Sequence, residues 1–120
     1  MYRFSIEENP VLKHTVKFSI ALIEFCDHLN SEKRFVLANQ LLKAGTSIGA
    51  NAMEAQHSES RHDFIHKMKI AAKEASETQY WLLLCKYSPL YPDPDHLLNS
   101  LYEIQKILGS IINSSKKAVK

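Results

Sequence analysis

The sequence is poor in the residues that build turns, sheets and membrane spans. Three glycines and four prolines in 120 residues fall below ordinary usage, which excludes a collagenous repeat and a Gly/Pro-rich low-complexity chain. Runs of β-branched residues are scarce, so a sandwich or barrel is not expected. The segment MYRFSIEENP contains no apolar stretch of the signal-peptide kind. The longest apolar run, Trp81 to Cys85, is far too short to span a bilayer, so the chain reads as cytosolic with no membrane partner. Charge of one sign is also missing: Lys and Arg number 15 against 13 Asp and Glu, a formal net charge of +2. Composition alone therefore names neither a nucleic acid nor an acidic surface as partner. The two cysteines, Cys26 and Cys85, sit among apolar residues at helical spacing and read as buried reduced thiols rather than a disulfide or redox pair. No glycine-rich phosphate loop, nucleophile elbow or pair of carboxylates is present, so the chain reads as non-enzymatic and without a cofactor.

What remains is 45% apolar residues in a chain the length of one domain, enough for a single core over residues 1–120. Asn9-Pro10 is a capping residue followed by a first-position proline, and Val11, Leu12, Val16, Leu22, Ile23, Cys26 and Leu29 follow at helical spacing, giving helix 1 over 10–29. After the polar Asn30-Ser31, the residues Phe35, Leu37, Leu41, Leu42, Ala44, Ile48, Ala52 and Ala55 carry helix 2 to His57. It does so despite Gly45 and Gly49, each costing about 1 kcal/mol against alanine. Ser60 with Asp63 resembles a capping box and opens helix 3 over 61–87. Asp93-Pro94 starts helix 4 over 94–115, which leads into the basic tail SSKKAVK. Short connections between four helices predict an all-α, antiparallel up-and-down four-helix bundle.

The faces of these helices carry further expectations. One side of helix 2 reads Asn39, Gln40, Lys43, Thr46, Ser47, Asn51, Glu54, His57 and Ser58, small and weakly charged, as where another helix or subunit approaches closely. Gly45 and Gly49, with Ala52, Ala71 and Ala75, are expected to pack helix 2 tightly on helix 3, with Asn51 and Glu54 as a polar pair anchoring the two. Helix 3 has a main apolar stripe and a second group, Ile70, Trp81 and Leu84, on another side. Together with the wide apolar arcs of Phe18, Ile20, Phe25 and Ile107, this group reads as an association surface. On a third side His62, His66, Lys69 and Lys73 succeed one another at spacings of four, three and four, with Tyr80 further along. That line is about 16 Å long at 1.5 Å per residue. Such spacing suits successive phosphates, and a tyrosine suits stacking on an unpaired base. A solvated face neighboured by Asp63, Glu74 and Glu77 is the plainer alternative. His62 and His66, with His57 or Glu59, lack the other features of a metal motif, and no metal is expected.

The stretch KAGTSIGANAMEA from Lys43 to Ala55, then SRHDFIHK from Ser60 to Lys67, Ile70-Ala71, and EASETQYWL from Glu74 to Leu82, resembles the four helix bundle protein family. That family is named for proteins encoded in intervening sequences of bacterial 23S ribosomal RNA genes. The likeness extends over nearly the whole chain; Gln56 stands where the family often has glycine. The resemblance implies a cytosolic bacterial bundle that assembles as a ring-like homo-oligomer, typically a pentamer. The chain is also similar to the accessory protein of diversity-generating retroelements, whose basic surface works with nucleic acid and a reverse transcriptase. Two functions follow as expectations. One is a nucleic-acid-binding homo-oligomer contacting RNA or DNA phosphates through Arg61, His62, His66, Lys69, Lys73, Lys116, Lys117 and Lys120. The other is a structural or adaptor ring that binds another protein. Contacts between helices or subunits are expected at Gly45, Ser47, Gly49, Asn51, Glu54, Ile70, Trp81 and Leu84.

Overall fold

A computed structural model describes residues 6–119, with side chains through Ala118; Lys120 lies outside the described residues. Among these the chain forms a short 3-10 turn, Ile6–Glu8, and four α-helices: α1 (Pro10–Ser31), α2 (Phe35–Ala55), α3 (Arg61–Tyr87) and α4 (Asp95–Val119). They pack in chain order around a square, α1 on α2, α2 on α3, α3 on α4 and α4 back on α1, with no diagonal pair as close. The bundle is the one the periodicity predicts.

The ends of the helices follow from their caps. Asn9 Oδ1 accepts the backbone N–H of Leu12 at 3.3 Å, while its Nδ2 donates to Gln56 Oε1 at 3.2 Å and ties the start of α1 to the end of α2. α1 runs two residues past the expected stop. There Arg34 N–H bonds the carbonyl of Leu29 and Lys33 N–H that of Asn30, with Lys33 in the left-handed region at φ 64°. This is the Schellman arrangement with lysine in the position glycine usually takes, and the lysine is why the sequence shows no stop signal there. At α4, Pro94 lies one residue outside the helix, its carbonyl accepting from Leu97 and Leu98, and Asp93 Oδ1 accepts from Asp95 N–H. The residues expected to form a basic tail continue α4, so Lys116 and Lys117 occupy its last turn, where their charge complements the helix dipole.

The core is formed by aliphatic residues from all four helices, among them Leu12, Leu22, Leu29, Leu41, Ile48, Met68, Leu82, Leu101 and Ile104. Phe18 and Phe25, expected to widen an association surface, are buried in this core instead. Ala52, Ala71 and Ala75 are fully buried, as expected for close helix packing. The two glycines of α2 correct the expectation of which helix they meet. A Cβ on Gly45 would run into the side chain of Leu22 and lie 3.5 Å from Phe18 Cε2, and one on Gly49 would lie 3.0 Å from Thr15 Cβ. All three neighbours belong to α1. The tight approach is therefore between α1 and α2, because helical periodicity shows that a face is small but not which neighbour uses it. Thr15 is buried there with its hydroxyl satisfied within α1, donating to Val11 O at 2.8 Å.

Cys26 and Cys85 are both buried and unbonded. Burial pushes each thiol up to about 11, and for Cys26 the neighbouring Asp27 and Cys85 add to it. A raised thiol value means that the reactive thiolate is scarce at neutral pH. Iodoacetamide at pH 8 should leave both cysteines unmodified in the folded protein and alkylate both in denaturant, read by intact mass.

The glycines give a paired stability prediction. Gly45→Ala should lower the unfolding free energy by up to about 2 kcal/mol, because overpacking against Leu22, about 1–3 kcal/mol, outweighs the roughly 1 kcal/mol of helix propensity regained. Gly109→Ala, in a helix interior where a Cβ would have nothing within 4 Å, should raise it by about 0.5–1 kcal/mol. Urea unfolding of the two variants measures both.

Candidate nucleic-acid interface

Helix α3 is set by its N-cap: Ser60 has extended backbone and its Oγ accepts the N–H of Asp63 at 3.0 Å. The helix then runs unbroken to Tyr87, and its inward stripe of Ile65, Met68, Ala71, Ala75, Thr78, Leu82 and Cys85 is buried. With that stripe fixed in the core, the register at 100° per residue turns His62, His66, Lys69, Lys73 and Tyr80 outward on one line. All five are exposed. None of the four basic residues has an ion-pair partner among the described residues.

Two further α3 cations, Lys67 and Lys86, are engaged. Lys67 bonds Glu54 of α2 at 3.1 Å. Lys86 bonds Asp95 of α4 at 2.8 Å, and this carboxylate raises the ammonium's pKa. Helix α3 holds five Lys and Arg against three Asp and Glu, an excess as large as that of the whole chain. Arg61 is exposed at the start of the same helix. The antiparallel order brings the last turn of α4 to that end of the bundle. Gln105 of α4 donates to Gln79 of α3 at 3.0 Å, and Lys116, eleven residues later, returns to nearly the same flank of α4. Lys116 and Lys117 are exposed.

Helix α2 behaves differently from its expected polar contact. Thr46, Ser47 and Asn51 donate to carbonyls of their own helix, those of Leu42, Lys43 and Ser47. Of the expected pair only Glu54 reaches α3, through Lys67, because the Asn51 amide is occupied one turn back. The second apolar group of α3 is divided: Ile70 and Trp81 are half-buried, Trp81 against the core, and Leu84 is exposed at the angular position of His66, so it joins the side of the basic line instead of forming a separate one.

Apolar surfaces also lie outside the core, one of them between α1 and α4 at Pro10, Val11, Ile107 and Ile111. Between α2 and α3 lies a groove of about 540 Å³ with walls of Val36, Leu37, Trp81 and Leu84, and with Gln40, Ser88 and Tyr91 also on its lining. Tyr80 meets Trp81 edge to face at 5.4 Å between ring centroids, and the Arg34 guanidinium stacks on Tyr91 at 4.7 Å. Between α1 and α2 is a further depression, of about 310 Å³, where Val16 and Ile20 line up beside Gly49, Ala50 and Met53. Ile20 is 56% exposed. The residues of these grooves lie on helix flanks that periodicity marks only as intermediate, and the sequence signal that was available is the second apolar group containing Trp81.

Among the described residues no three His, Cys, Asp or Glu side chains gather as a metal site requires, and no helix is long and apolar enough to cross a membrane. Comparison with curated proteins gives no match. Among solved structures, the chain is similar to a protein of unknown function from the S23 ribosomal protein family of Bacteroides thetaiotaomicron. The two are 41% identical, with a TM-score of 0.81 over 85% of this chain and 97% of that one. The sequence model of the 23S rRNA-intervening sequence proteins matches residues 7–110. With nearly the full helical bundle matched in sequence and in backbone, the chain belongs to the 23S rRNA-intervening sequence protein family.

Proposed function

We propose that this chain is a non-enzymatic homo-oligomer that binds RNA or DNA through phosphates laid along the outer face of α3. The observation that carries the reading is the line of His62, His66, Lys69 and Lys73, exposed and without ion-pair partners among the described residues while Lys67 and Lys86 are paired. An unpaired lysine meets a phosphate without first breaking a salt bridge, and each such contact releases a counterion. Arg61 and Lys116, on adjoining flanks at the same end, extend the basic surface; Lys117 is a further cation of that end. One subunit at +2 binds weakly. A closed assembly repeats the strip, and the repeats act together on one long polyanion.

The assembly reading rests on the exposed apolar stripe of α1. Val16, Ile20 and Ile23 recur at one-turn spacing, each more than a third exposed, beside the α1–α2 depression. A stripe of this kind on a soluble bundle fits a subunit contact better than water. Five subunits is the number that the family resemblance implies, and a reverse transcriptase or another protein is the partner class it adds.

The competing reading is an adaptor that holds a protein, favoured by the apolar α2–α3 groove. The two are separated by titrating labelled structured RNA and duplex DNA at several salt concentrations. Binding should weaken linearly on a log–log plot, and Lys69→Ala/Lys73→Ala should weaken it for every sequence and reduce the slope by about 1 per lysine removed. Absence of binding at low salt, or salt-insensitive binding untouched by the double substitution, supports the adaptor instead. In sedimentation equilibrium the wild type should run well above the 13.7 kDa of one chain, and Ile20→Glu should shift it toward that mass without loss of helicity. A wild type that sediments as a monomer at micromolar concentration removes the assembly.

A further inference from the structure

The phosphate strip and the α2–α3 groove share one face of α3. Leu84 follows His66 by eighteen residues, five full turns, and so stands at the same angular position on the helix. Tyr80, on the line of the strip and 58% exposed, lies between Lys73 and Leu84. The path from Lys73 to Trp81 is about 12 Å at 1.5 Å per residue. A chain leaving the last lysine of the strip therefore passes Tyr80 and arrives at the groove mouth.

The groove has the chemistry of a base-binding site. Its walls are Val36, Trp81 and Leu84, and Gln40 and Ser88 add an amide and a hydroxyl able to pair with a polar base edge. Its volume, about 540 Å³, lies within the range that holds small organic ligands. The indole Nε1–H of Trp81 is buried with no hydrogen-bond acceptor among the described residues. A base edge that reaches this donor would supply the acceptor it lacks. Lys43, exposed and three residues after Gln40 on α2, offers a cation on the far side of the groove. The acid on this path is Glu77, four residues before Trp81, exposed and without an ion-pair partner among the described residues. It repels a backbone that strays from the Lys73–Tyr80 line.

We propose that the α2–α3 groove receives one unpaired nucleobase of a strand whose phosphates lie on the His62–Lys73 strip. The inference rests on the phosphate-binding reading and adds the class of nucleic acid: single-stranded, since a base inside a duplex cannot enter a groove or stack on an aromatic ring without leaving its pair. The apolar walls and Tyr80 supply stacking, and the strip supplies the charge complementarity.

Trp81 is the single tryptophan of the chain, so its fluorescence reports on the groove alone. The full-length protein is titrated with a mixed-sequence single-stranded oligonucleotide and with its duplex at equal salt. Binding is followed by anisotropy of a label on the nucleic acid and by Trp81 emission. The single strand should bind several-fold more tightly and quench Trp81. Val36→Glu, at a position 79% exposed where a polar residue leaves the core intact, should abolish quenching and bring single-strand affinity down to the duplex level. Glu77→Gln should tighten single-strand binding. Equal affinity for strand and duplex, sensitive to Lys69→Ala/Lys73→Ala but with unchanged Trp81 emission, overturns the groove assignment and leaves the strip standing. No binding of either at low salt overturns both. Trp81 emission that changes with protein concentration and not with oligonucleotide identifies the groove as a contact between copies, and also overturns the proposal.

Discussion

The close approach of α1 and α2 at Gly45 and Gly49 governs the rest of the bundle. Leu22 and Phe18 occupy the space a side chain on Gly45 would need, and Thr15 that beside Gly49. Two glycines in one helix cost about 1 kcal/mol each in propensity, a cost offset by the dispersion contacts and apolar burial that the shorter interhelical distance permits. With α1 and α2 locked together, Ile48, Leu41 and Ala52 of α2 face the centre, and α3 and α4 close the square. The same closeness leaves Val16 and Ile20 at the edge of the α1–α2 seam, where their apolar surface stays outside.

The outer face of α3 is a consequence of the inner one. Once Met68, Ala71, Ala75 and Leu82 are committed to the core, helical geometry leaves His62, His66, Lys69 and Lys73 nowhere but solvent. Near-neutral overall charge conceals this arrangement, because pairing is uneven: Glu54, Asp95 and Glu103 are spent on Lys67, Lys86 and Lys106, and the strip keeps its charge. A field felt by a long polyanion depends on where unpaired charges sit, not on their sum.

Much of the fold was legible in the residues. Asn9-Pro10 and Ser60 gave two helix starts that the structure reproduces, and the apolar period gave four helices and most of the core. The stop of α1 was less readable because Lys33 holds a left-handed position that glycine usually announces. The far end of α4 was misread for a related reason: small and basic residues in SSKKAVK resemble a tail, yet Ser115 packs into the bundle and carries the helix onward. Phe18 and Phe25 look like surplus apolar surface on a helical wheel and are core residues in the square arrangement.

That His62, His66, Lys69 and Lys73 of α3 fall on one line was determined by sequence alone, since the period of that line and that of the α3 core stripe are fixed by the same 3.6-residue turn. So were the number of helices and their antiparallel order, through short connections and caps. Only the tertiary structure decided which helix the glycines of α2 meet, that Asn51 bonds its own helix while Glu54 crosses to Lys67, and that Val36 and Trp81 face one another across a groove. These are relations between helices, set by the rotation and separation of packed neighbours, and a one-dimensional period carries no information about the partner on the other side.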